Sequence, residues 1–152
     1  MSDLERLAAL VMLVSSGIWA GIVLCYAVER VNLWQRMPVA QYAVDFRRSV
    51  HRVDPLQPII AIIAIIGAAA FAMEAGGSAS VLAWIGVVLV AGVIVFSIAL
   101  PERINSQFRK RPEGDAPADA DTLRSRWRLY HYLRTVPTLG AFVLLVVAST
   151  LA

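Results

Sequence analysis

Residues 58–100 read PIIAIIAIIGAAAFAMEAGGSASVLAWIGVVLVAGVIVFSIAL, and Glu74 is the one charged side chain among them. On either side of Glu74 the apolar run approaches or reaches the ~18–20 residues that cross a ~30 Å hydrocarbon layer as a helix. Between the two runs, Gly76-Gly77-Ser78 has the chemistry of a tight reversal. Two spans joined by so short a turn form an antiparallel pair. The same composition recurs towards both ends of the chain: no charge occurs between Leu7 and Val28, nor between Thr135 and Ala152. The reading is an all-α membrane protein, a four-transmembrane-helix bundle with spans over about 7–26, 58–73, 81–100 and 135–151. The 152 residues form a single domain. Whole-chain composition agrees, with 59% hydrophobic and 16% charged residues, against ~45–50% and ~25% in a soluble domain. A soluble globular enzyme is excluded, and too little chain remains for a large extramembrane core.

The three connections carry very unequal charge. Arg30, Arg36, Arg47, Arg48 and Arg52 lie in the first; Arg103, Arg109, Lys110, Arg111, Arg124, Arg126, Arg128 and Arg134 lie in the third; the second has no basic residue. An even number of spans puts the two basic connections on one side. The positive-inside rule makes that side cytoplasmic and both termini external, as expected for the inner membrane of a bacterium. The formal charge of +3 then reflects topology and contact with the lipid bilayer, and no nucleic acid is implied. The leading residues Asp3, Glu5 and Arg6 lack the basic character of a signal peptide, so the first span is expected to be retained. A single cysteine, Cys25, excludes an internal disulfide and a CxxC centre, and is expected to be a buried small hydrophobe. Gly17 and Gly21 form a small-xxx-small face that permits a homo-oligomer.

Between the first two spans, Val39, Ala43, Phe46, Val50 and Val53 recur at helical spacing, with the charges elsewhere. This predicts an amphipathic interfacial helix over about 38–53, ended by Asp54-Pro55, where Asp54 can cap the second span. Pro101 and Pro137 should each kink or end a helix. The segment over about 112–120 is rich in breakers and reads as a mobile loop.

No phosphate loop, nucleophile elbow or zinc spacing is present. Instead, ionisable and polar groups gather at the basic ends of the spans: Tyr26, Glu29, Arg30, His51, Asp54, Glu102, Asn105, Trp127, His131 and Arg134. In a four-helix bundle these ends converge. Trp127, His131, Arg134 and Thr138 share one helix face that runs into the apolar span, and a polar stripe there should face the bundle interior. The plainer alternative is that Arg134 snorkels to headgroups while Trp127 joins an aromatic belt. His51 and His131 with Glu102 would make a two-His, one-carboxylate set suited to Fe, Cu or Zn. The same two histidines are also candidate axial ligands for haem. Asp54 reads more simply as a helix cap than as a ligand.

At these residues the sequence resembles the anthrone oxygenase-like integral membrane proteins, a family of small four-span proteins. The matching features are Gly17 and Gly21 in the first span, Pro101 with Ile104-Asn105 after the third, and Trp127, His131, Arg134 and Thr135 opening the fourth. Glu102 and Arg103 depart from the family pattern by separating Pro101 from Ile104-Asn105. The resemblance implies oxygenation of a hydrophobic aromatic small molecule, an anthrone or related quinol, to a quinone without an organic cofactor. On that reading His131 is a base, Arg134 and Asn105 stabilise a developing oxyanion, and Trp127 packs on the flat substrate. The competing reading is a non-catalytic accessory or scaffold protein whose basic face binds lipid or a partner.

Overall fold

The computed structural model describes all 152 residues, and every element is helical. In order they are α1 (Asp3–Cys25), a π-helical turn (Tyr26–Arg30), α2 (Val31–Arg36), α3 (Val39–Arg52), α4 (Leu56–Glu74), α5 (Gly77–Ala99), α6 (Pro101–Arg109) and α7 (Ala120–Thr150). Four helical runs are long and apolar enough to cross a membrane, namely Asp3–Arg36, Val39–Glu74, Gly77–Ala99 and Ala120–Thr150. The expected bundle is therefore present, and its outer helices run on beyond the apolar segments. At the start of α1, Ser2 and Glu5 exchange side-chain to backbone hydrogen bonds as a capping box. At the other end of α4, Gly77 adopts a φ of +56°, the left-handed conformation that lets the chain reverse directly into α5.

The four long helices close a ring, α1 against α4, α4 against α5, α5 against α7 and α7 against α1. Small residues make this closeness possible. On α4 the buried face is Ala61, Ala64, Gly67, Ala68 and Ala72; on α5 it is Ala79, Ala83 and Gly86. A Cβ on Gly67 would stand 2.7 Å from the backbone nitrogen of Met12, so α1 and α4 touch backbone to backbone there. Lipid offers no hydrophobic drive between helices, and this dense van der Waals contact is what associates them. Outward, Ile59, Ile62, Ile66, Val88, Val95 and Val136 are exposed, as suits contact with a bilayer.

The basic end holds more structure than two connections and a surface helix. The inner face of α3, with Tyr42, Ala43, Phe46 and Val50, packs with α2, α6 and the first turns of α7. Trp34, Tyr42, Phe46, Phe108 and Trp127 meet mostly edge to face, with ring centroids 4.8–6.1 Å apart. That arrangement matches the negative face of one ring to the positive edge of the next. Arg124 donates to the carbonyls of Trp34 and Met37 at 3.0 and 2.8 Å, which satisfies the open end of α2. A small aromatic core thus caps the bundle.

Several expectations change in detail. Cys25 is exposed on the outer face of α1 rather than buried, because the π turn beginning at Tyr26 directs Tyr26 and Ala27 inward instead. Asp54 does not cap α4: the cap position falls on Pro55, in helical conformation, and no side chain bonds the free N–H groups there. Gly17 faces the ring of Phe142 on α7, where a Cβ would meet it at 3.3 Å, so this half of the Gly17/Gly21 face serves the fold itself. Pro101 ends α5 and opens α6, whereas Pro137 lies inside an unbroken α7. In the 112–120 segment Pro117 is buried and Ala116 packs on the aromatic cap.

Candidate functional site

Where α4 and α5 part at the basic end, a cavity of about 540 Å³ opens, within the ~300–1,000 Å³ usual for small-molecule sites. Each long helix contributes to its wall: Trp19 from α1, Gln57 and Ala61 from α4, Ile94 and Ser97 from α5, and Arg134 from α7. Val50 and His51 come from α3, Asp54 from the turn after it, and Pro101, Glu102, Asn105 and Arg109 from α6. The mouth includes the exposed apolar side chains of Pro58 and Ile98.

The polar groups fall into two linked sets. In the first, the Asp54 carboxylate accepts from Gln57 Nε2 at 3.2 Å and from Asn105 Nδ2. Asn105 Oδ1 in turn accepts from Trp127 Nε1 at 2.9 Å. Indole N–H can only donate and a carboxylate can only accept, so the orientation of the Asn105 amide is fixed by chemistry. Beside this set, Arg109 forks onto Glu102 with bonds of 2.7 and 3.2 Å, the bidentate geometry that guanidinium and carboxylate favour.

In the second set, Arg134 is buried on the cavity wall and makes no ion pair. Its Nε and Nη2 lie 3.3 and 3.0 Å from His131 Nδ1, and Nη1 lies 3.5 Å from Ser97 Oγ. These contacts leave part of the guanidinium fork unengaged. A guanidinium only donates, so His131 Nδ1 is an acceptor; Nε2, 3.0 Å from the Val23 carbonyl, must then carry the hydrogen. His131 is a neutral imidazole with both nitrogens occupied inside the protein. Its ring stacks on Trp127 with centroids 4.9 Å apart and planes at 15°. The carbonyls it and Tyr132 reach are Val23, near the end of α1, and Ala27, in the π turn that follows.

Of the residues singled out in the sequence, Arg134 and Asn105 line the cavity, as do His51, Asp54 and Glu102. His131 and Trp127 stand behind the wall and hold Arg134 and Asn105. The set His51, His131 and Glu102 is not assembled: no three His, Cys, Asp or Glu side chains come together that could hold a metal ion. The snorkelling reading of Arg134 gives way as well, because the side chain turns inward and is only 8% exposed. Gln57 and Ser97 escaped the sequence reading. The signal for Gln57 was available, since it is a lone amide at the threshold of an apolar span.

Residues 46–144 match the family model described as anthrone oxygenase. That segment holds every cavity residue named above except Trp19. No curated protein and no solved structure matches the chain.

Proposed function

Because this chain belongs to the anthrone oxygenase family, we propose that it is a membrane-embedded oxygenase that converts the activated methylene of a hydrophobic aromatic ketone, an anthrone or a related quinol-like compound, into a carbonyl. The observation that supports this reading is the buried, unpaired guanidinium of Arg134 on the wall of a largely apolar cavity. Removing a proton from a methylene conjugated with a ring ketone moves negative charge onto the ketone oxygen. A guanidinium with unengaged N–H groups, held by His131 and Ser97, stabilises that oxyanion where water is scarce. Molecular oxygen then adds at the former methylene carbon, and the resulting hydroperoxide loses water to leave the second carbonyl. One O2 is consumed and one water released per quinone formed. Flat apolar substrate and oxygen both partition into the bilayer, and Pro58 and Ile98 at the mouth suit entry from it.

The test is oxygen uptake by the purified protein in lipid nanodiscs supplied with anthrone. Saturable uptake with stoichiometric quinone supports the reading, and a protein that binds anthrone without accelerating its oxidation overturns it. The basic end, with the cavity, faces the cytoplasm in this proposal, and the termini face outward. A cysteine placed at Glu113 should then resist an impermeant thiol reagent in intact cells and react once the membrane is opened; labelling in intact cells would reverse the topology.

A further inference from the structure

We infer that Asp54 is the base that takes the proton from the substrate's methylene, with Gln57 and Asn105 as the residues that position it. This rests on the oxygenase reading above.

Two carboxylates line the cavity; Asn105 Nδ2 reaches both, lying 3.4 Å from Glu102, but their other partners differ. Glu102 is clamped by the Arg109 fork, so its charge is paired and an oxygen on each side of the carboxylate is taken. Asp54 makes no ion pair; its only side-chain donors are the two neutral amides of Gln57 and Asn105. A carboxylate oxygen has more than one acceptor direction, so one amide on each oxygen leaves room for a further proton. Two neutral amides aim the group and hydrogen-bond its anion without setting a formal charge directly against it, as the Arg109 fork does on Glu102.

The positioning is itself locked. Asn105 cannot rotate its amide without losing the Trp127 bond, and Trp127 is stacked on His131, which holds Arg134. The groups that would receive the proton and the oxyanion charge are thus joined through one framework of α6 and α7. Gln57 is 6% exposed, and its Nε2 must face Asp54, since its Oε1 cannot donate to a carboxylate. In the step itself the methylene C–H bond breaks, the proton passes to an Asp54 oxygen and the electron pair stays in the conjugated ring system. The peroxide formed with O2 later takes that proton back; the second C–H and the O–O bond then break, the outer oxygen leaves as water and the inner one stays as the new carbonyl.

Anaerobic deuterium exchange separates this step from oxygenation. With anthrone in D2O and no O2, wild-type protein in nanodiscs should exchange the methylene hydrogens faster than empty nanodiscs. Asp54→Asn should lower the accelerated exchange ~10²–10⁴-fold, the range for loss of a general base, with anthraquinone affinity retained. If Asp54→Asn does not elute as a monodisperse protein, Asp54→Ser carries the test: its hydroxyl can accept a hydrogen bond from Gln57 or Asn105 but cannot serve as the base, so exchange should fall in the same way with product affinity retained. Wild-type exchange rates in either folded variant overturn the Asp54 assignment and leave the oxygenase reading standing. A wild-type protein that neither exchanges the methylene nor consumes O2 overturns both.

Discussion

Arg134 is the residue on which the site turns. A cation beside an apolar span is costly unless it is solvated or bonded, and function is the usual reason such a residue is kept. Here its bonds go to a neutral imidazole and a hydroxyl, not to an anion. Replacing it with Ala should lower turnover ~10²–10³-fold, equivalent to ~2.7–4 kcal/mol of transition-state stabilisation, as for other oxyanion donors. Lys should not restore the activity, because one ammonium cannot bond His131 and reach the substrate as a fork does. Steady-state kinetics on both variants checks this, and near-wild-type turnover in Arg134→Ala would remove the oxyanion role. The helical spacing of Trp127, His131 and Arg134 exposed their common face in advance. Which of them meets the cavity was not legible, because a stripe on one helix does not say where its neighbours' side chains stop. Asp54 was misread for a related reason: a capping residue before a proline is a local pattern, while its bond to Asn105 spans 51 residues of chain.

Among the elements, α4 shows how small residues set the geometry. Its Gly67 meets the backbone of Met12, which cannot move aside without shifting α1. Gly67→Ala should destabilise the protein by ~1–3 kcal/mol, the usual cost of overpacking. Gly21 has nothing within 4 Å of a built Cβ, so Gly21→Ala should leave stability unchanged or slightly improved. Thermal unfolding of the two variants in the same detergent makes the comparison, and equal transitions would contradict the close packing of α1 on α4. The spans themselves were plain in the sequence because each is a continuous apolar run. The aromatic cap was not. Its residues come from α2, α3, α6 and α7, each contributing one or two rings, and no single segment is apolar enough to announce a core.

At the scale of the whole molecule, one ring of helices produces both the membrane body and the site. The tight Gly76-Gly77 turn holds α4 and α5 together at one end, and the opening between their other ends is the cavity. On the basic side, α3, the turn after it and α6 border the cavity and supply Asp54, Glu102 and Asn105. Substrate chemistry follows from that enclosure: an apolar volume, one unpaired cation and one carboxylate held by amides. The most direct measurement is turnover of anthrone under 18O2 in unlabelled water, with the quinone analysed by mass spectrometry. One 18O atom is expected in the new carbonyl of each product molecule, in proportion to O2 consumed. A quinone whose new oxygen comes from water, or no quinone beyond the rate of empty nanodiscs, would contradict it.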